Sequence, residues 1–225
     1  MNTAKTLTAL FAAIALALPV TAAAQAYPAK TVRMIVGFPP GGPTDVLARI
    51  VAQKLGEAWG QQVVVDNRAG ASGMIGAELT ARAAPDGYTL LMVPVTYAVA
   101  PSLFSKMAYD TERDLATVAQ VAASPFILVV HPTLPVKTVK DLATLGRSRP
   151  GQLNYASAST GGMPHLAGEL FNTMTGAKLV HIPYKGAAPA TTDLLAGQVQ
   201  LMFNNMLSAM PQVKAGRLRA VAVTS

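Results

Sequence analysis

The sequence predicts an α/β protein in two parts, and three observations carry that prediction. Short apolar runs alternate with segments of helical periodicity along most of the chain, which is the rhythm of parallel strands joined by crossover helices. The rhythm breaks between residues 94 and 125, over an irregular stretch at 94–113 and at Ser124-Pro125, which reads as a crossover between domains. Three strand-to-helix turns, one before that break and two after it, are rich in glycine and hydroxyl side chains. In open α/β sheets such turns lie at the carboxyl ends of the strands, where ligands bind.

Residues 32–36 (VRMIV) form a strand candidate, followed by a Gly/Pro turn. Val46, Leu47, Ile50, Val51 and Leu55 then recur at helical spacing up to Gly60. Val63-Val64-Val65 is the next strand, and residues 74–84 read as a helix stopped by Pro85-Asp86-Gly87. Residues 88–93 complete a βαβαβ unit, whose sheet is expected to be parallel. Apolar runs at 116–122 and 126–131 flank the Ser-Pro break. Beyond it come helices at 138–147, 166–174, 189–196 and 207–215 and strands at 153–156, 179–182 and 199–203. The chain stops inside a further apolar run, 218–223, and the expectation from that run is a truncated chain. The organisation read from this is 1–26 as a leader, 27–122 as a first lobe whose C-terminal part is missing, and 123–225 as a second lobe with the start of a crossover back.

The leader is read from Lys5, an uncharged apolar stretch over 7–20, and small-x-small sites ending at Ala24 or Ala26. That is the layout of a secretory signal peptide. Pro19 breaks the stretch, and a spanning helix wants ~20 apolar residues. The remaining residues, about 200, suffice for one large domain or two small ones. With 51% apolar and 13% charged residues the chain can bury a core. The absence of cysteine excludes thiolate metal sites and cysteine nucleophiles. Net charge is +7. A basic balance suits a soluble surface or an anionic ligand. Nucleic acid is argued against by export and by the lack of any Lys/Arg run with interleaved aromatics.

The first turn is Gly41-Gly42-Pro43-Thr44-Asp45. Gly42 suits a helix N-cap and Pro43 the first helical position. The N–H groups that follow, the Thr44 hydroxyl and the positive end of the helix dipole make an anion site. The same residues can equally be a tight turn, with Asp45 as its cap. A carboxylate beside a bound anion would repel it, so Asp45 reads as the cap. The second turn is Ser157-Ala158-Ser159-Thr160-Gly161-Gly162, leading into the helix that bears His165, and the third begins Tyr184-Lys185-Gly186. Three such turns spread over two domains point to a cleft between them.

Nothing in the sequence points strongly to catalysis. Gly70, Gly73 and Gly76 have the wrong spacing for a dinucleotide fingerprint. There is neither a nucleotide P-loop nor a G-x-S-x-G elbow. His131, His165 and His181 are too scattered for a metal signature, so no metal or cofactor is expected. A Ser157/His165 pair remains as a hydrolase or lyase alternative without a visible third partner.

Six segments in order, among them Phe38-Pro39-Pro40-Gly41-Gly42-Pro43-Thr44-Asp45, Asp66-Asn67-Arg68-Ala69-Gly70-Ala71, Pro85-Asp86-Gly87-Tyr88 and Pro183-Tyr184-Lys185-Gly186, resemble the Bug family. These are the extracytoplasmic solute receptors of tripartite tricarboxylate transporters. The resemblance implies a two-lobed periplasmic-binding-protein fold of the Venus-flytrap kind (type II-like), non-catalytic, closing on a small di- or tricarboxylate, amino acid or aromatic acid. It implies a periplasmic location, membrane permease subunits as partners and a monomer. The residues it assigns to the ligand are Gly41, Gly42, Thr44, Asp45 and Thr96 in the first lobe. In the second they are Ser157, Thr160 and Tyr184; Gly161, His165 and Asn204 complete the candidate ligand-binding residues. Two positions depart from the family pattern: Ser159 where it carries glycine, and Gly162 where it carries a hydroxyl. An Asp often stands where this chain has Asn204. A sensor or scaffold that presents ligand to another partner is the third reading.

Overall fold

The structure, a computed structural model, describes residues 26–224; the expected leader otherwise lies outside them. Two sheets are present among these residues. In the first, β1 (Val32–Val36) lies between β2 (Val63–Asn67) and β3 (Thr89–Met92), all parallel. α1 (Pro43–Trp59) joins β1 to β2, and α2 (Met74–Ala81) joins β2 to β3. The second sheet has the order β6-β5-β7-β4-β8. Its strands are β4 (Phe126–Val130), β5 (Asn154–Ser157), β6 (Val180–Pro183), β7 (Leu201–Asn205) and β8 (Arg219–Val223). β5 pairs in parallel with β6 and β7, whereas β4 runs antiparallel to β7 and β8. α4 (Val139–Ser148), α5 (Met163–Thr175), α6 (Ala187–Leu195) and α7 (Met206–Lys214) make the connections, and α3 (Thr96–Leu103) follows β3.

The second sheet is buried on both faces, and the two-residue period of a strand divides its side chains between two cores. Leu128 and Val130 pack with Tyr155, Leu201, Phe203, Leu142 and Phe171 on one face. Ile127 and Val129 pack with Ala156, Met202, Ala190, Leu194 and Ala209 on the other. The smaller core of the first sheet centres on Met34, Val36 and Ala48.

Helices and strands fall where the sequence places them to within a few residues, with two exceptions. Residues 94–113, expected to be irregular, contain α3 despite Pro101 within it. The apolar run at 116–122 forms neither helix nor strand, and Val118 is 85% exposed. A β-prone run becomes a strand only where it can pair and pack, and residues 116–122 pair with neither sheet.

Candidate functional site

Four strand-to-helix turns converge on one cavity of about 230 Å³. Residues 37–39 and 70–73 come from the ends of β1 and β2, residues 158–160 and 183–185 from the ends of β5 and β6. The cavity therefore lies at the carboxyl edges of both sheets, between them. It is smaller than the ~300–1,000 Å³ typical of drug-sized ligands, and Lys185 is the one charged residue in its lining.

Each turn is braced from behind. On the first sheet, a Cβ on Gly37 would stand 2.7 Å from the Cα and carbonyl oxygen of Gly73, so only glycine lets these two turns touch. Asp45 is 2% exposed and accepts hydrogen bonds from Gly41 N–H (2.9 Å), from Arg49 Nε and Nη2 (3.0 Å each) and from Asn67 Nδ2 (2.9 Å). The Asn67 amide also donates to the Phe38 carbonyl at 3.0 Å, which ties the β1–α1 turn to the end of β2. Burial pushes the Asp45 pKa up, but the guanidinium, the Gly41 N–H and the Asn67 amide together outweigh it and hold the carboxyl below its ordinary range.

On the second sheet, Ser157 is fully buried at the end of β5 and its hydroxyl donates to the Ser159 carbonyl at 2.9 Å. Because a serine has one proton, its contact with His181 Nε2 at 2.6 Å assigns the donor there to the imidazole. Burial, with His165 beside it, lowers the His181 pKa to about 4. His165 stacks on His181 with ring centroids 3.9 Å apart, and its Nδ1 accepts the Gly161 N–H at 3.0 Å. The Tyr184 hydroxyl donates to Asp193 at 2.7 Å. Burial and then this carboxylate push the phenol up to about 12.

The two sides touch across the cavity. Ser72 Oγ donates to the Thr160 carbonyl at 3.0 Å. A Cβ on Gly186 would meet the Pro39 ring at 3.0 Å, and one on Gly161 would meet Leu103 at 2.7 Å. A Cβ on Gly162 would lie 2.7 Å from Ser159 Oγ and 3.6 Å from Thr96 Oγ1. Ser159 thus fills the space that a side chain at 162 would occupy, so the two departures from the family pattern are spatially coupled.

Helix starts add the electrostatics. α1, α2, α5 and α6 follow the four turns, and each has a glycine N-cap without a side-chain cap. α4, which starts at the opposite sheet edge, is capped by Thr138, and α7, which starts at the cavity edge but outside the lining, is capped by Asn205. The uncapped starts leave N–H donors and positive dipole ends on the cavity side.

The residues expected at the site divide accordingly. Thr160 and Tyr184 line the cavity. Gly41, Gly42 and half-buried Thr44 belong to the β1–α1 turn but lie beyond the part that forms the wall. Thr96 is buried at the start of α3, facing Gly162. The carboxylate of Asp45 is bound within its own turn. Asn204 is fully buried, with Nδ2 donating to Thr191 Oγ1 and Oδ1 accepting the Asn205 N–H. Gly161 and His165 hold one another. Ser157 meets His181, whereas the sequence reading paired it with His165, and its proton goes to a carbonyl, an arrangement without a general base for Ser157. Sequence reasoning weighed the wall at 70–73 only as a nucleotide fingerprint, and it named Phe38, Ser159 and Lys185 within its turns and motifs without assigning them to the ligand. The signal was there in Gly70 and Gly73 between a strand and a helix; the spacing that excludes a dinucleotide does not exclude a binding turn.

Residues 47–225 match the family model described as tripartite tricarboxylate transporter family receptor. Protein BugT of Bordetella pertussis is 43% identical over 212 residues, which are 93% of this chain and 64% of that protein. Among solved structures, R. palustris Rpa4515 with adipate is 40% identical with a TM-score of 0.86, over 88% of this chain and 67% of that one. MatC from Rhodopseudomonas palustris with bound malate is 32% identical with a TM-score of 0.82, over 88% and 68%. The chain spans just under two thirds of the length of the curated relatives it matches. The architecture is that of the two-lobed periplasmic solute-binding proteins, and the chain belongs to the tripartite tricarboxylate transporter receptor family.

Proposed function

We propose that this chain is a non-catalytic, exported receptor that captures a small carboxylate between two lobes, 27–122 and 123–225, and delivers it to the membrane subunits of a tripartite transporter. The observation that carries this reading is the cavity itself: it is lined by four turns that lead into uncapped helix starts, its lining holds hydroxyls and one lysine, and no Asp or Glu lines it. Such a site attracts an anion and sets no like charge against it. A ligand that touches turns on both sides favours the closed arrangement over an open one. The adipate and malate named with two of the similar structures accord with a dicarboxylate. Among the described residues no helix is long and apolar enough to cross a membrane. The receptor is taken to work as a monomer in the periplasm, after cleavage near Ala24 or Ala26.

Calorimetry and thermal shift against a panel of di- and tricarboxylates test this. A ligand at a hundredfold excess over its Kd stabilises the protein by about 2.7 kcal/mol, and Thr160→Val, at a hydroxyl residue that lines the cavity, weakens binding without unfolding the chain. The reading fails if no carboxylate raises the melting temperature while an ester is hydrolysed and Ser157→Ala abolishes that turnover.

A further inference from the structure

Charge is distributed very unevenly along this chain. Residues 27–122 hold eight Lys/Arg and eight Asp/Glu, whereas residues 123–225 hold nine and three. All seven ion pairs among the described residues lie in the first of these segments. The three acids of the second are engaged with other groups. Asp141 closes the capping box of α4, Glu169 accepts the Tyr155 hydroxyl, and Asp193 accepts that of Tyr184.

Topology gathers the unpaired cations at one end. β5 to β8 run in the same direction and β4 in the opposite one. The connections out of β4 and into β5, β6 and β8 therefore lie at the sheet edge away from the cavity. Lys137 and Lys140 bracket the start of α4, Arg147 and Arg149 its end, Lys178 precedes β6, and Lys214 and Arg217 precede β8. All seven are exposed, and Lys185 alone of this segment's cations lies at the cavity. Backbone bonds knit the pole together: Gly151 N–H donates to the Lys178 carbonyl at 3.0 Å. Arg219, half-buried, donates to the carbonyls of Pro132, Leu134 and Val136, which ties the loop before Lys137 to the one containing Arg217.

Helix ends explain only part of this. Arg147 and Lys214 stand in the last turns of α4 and α7, where the dipole favours cations. Lys137 and Lys140 flank a helix start, where it opposes them. The connecting segments at this pole, 131–138, 149–153, 176–179 and 215–218, contain no Phe, Tyr or Trp. They lack the aromatic anchors that concentrate binding energy in protein interfaces, and long flexible cations spread over several loops suit a fluid anionic surface.

We propose that this pole of the second segment docks electrostatically on an anionic phospholipid surface, with headgroup phosphates as its ligands and the cavity left open on the opposite edge. The proposal does not depend on the identity of the solute. Co-sedimentation of the full chain with vesicles of phosphatidylglycerol and phosphatidylcholine, against phosphatidylcholine alone, tests it. Binding is expected only with the anionic lipid. It is lost as salt rises from ~0.01 M to ~1 M, which shortens the Debye length from about 30 Å to about 3 Å. Each cation removed weakens partitioning about fivefold, the factor equivalent to ~1 kcal/mol per basic residue near such a surface. K140Q/R149Q/K178Q/K214Q/R217Q abolishes binding, and K30Q/K54Q/K106Q in the first segment retains it. If the fivefold variant does not fold, the pairs R149Q/K178Q and K214Q/R217Q each weaken partitioning about 25-fold. The proposal is overturned by failure to sediment at low salt, by pole variants that bind like the parent chain, or by binding to soluble polyglutamate that anionic vesicles do not compete away.

Discussion

Replacing Asp45 with alanine separates a brace from a ligand contact. The carboxylate receives four hydrogen bonds, and the substitution removes all of them while leaving the backbone able to stay helical. The two from Arg49 count for little, because that side chain is 54% exposed and water screens the pair. The Gly41 N–H loses a charged acceptor, a bond worth ~1.5–3 kcal/mol when dry, but Gly41 is exposed and water replaces part of it. Asn67 Nδ2 loses one of its two acceptors at a half-buried position, ~1 kcal/mol. The sum is about 2–3 kcal/mol, a fall in melting temperature of roughly 5–10 °C for a chain of this size. The folded variant should bind carboxylate at 20 °C with at most a modest loss, because Asp45 does not line the cavity. Differential scanning calorimetry and titration calorimetry on the same sample give both numbers. An unchanged melting temperature with abolished binding would refute the reasoning and make Asp45 a ligand contact.

Acid should destabilise the protein through His181. Its folded pKa of about 4 lies below the ordinary 6.5, so the unfolded chain takes up the proton first. Stability is fully present above pH 6.5 and is lost as pH falls towards 4, by up to about 3 kcal/mol. His181→Gln keeps a donor for Ser157 and should flatten the melting-temperature slope in that window, whereas an unaltered slope would assign it to other groups. Ser72→Ala removes the hydrogen bond that crosses the cavity, worth about 0.5–1.5 kcal/mol, and should weaken carboxylate binding by up to roughly tenfold while raising the ligand-free radius of gyration. If small-angle scattering and affinity both stay at parental values, this contact has no part in closure.

The sequence located most elements because their signals are local. The apolar-rich residues 32–36, followed by Gly and Pro, carry their strand and turn signals within a few positions. Residues 96–103 were illegible for the opposite reason: Pro101 argues against a helix, and the buried Thr96 and Ala100 that hold it in place come from packing that no local pattern encodes. The run at 116–122 has strand composition, but whether it pairs depends on an edge supplied by distant strands. At the site, the turns at 157–162 and 184–186 were visible as glycine and hydroxyl clusters between a strand and a helix. Hydrogen-bond partners across the fold were not. Nothing in the spacing of Ser157, His165 and His181 says which imidazole the hydroxyl meets; the pairing of β5 with β6, which sets Tyr155 against His181, decides it.

By itself the sequence determined the α/β class, the order of its strands and helices and the turns at their carboxyl ends, because periodicity and turn chemistry act over a few residues. Only the tertiary structure decided which stretch of the first turn forms a wall, that residues 70–73 form another, that Asp45 and Asn204 are satisfied internally, and that seven of the second segment's nine cations share one pole. Those outcomes depend on which strands become neighbours and which way they run, and that choice is made by burying two faces of a sheet at once rather than by any single segment.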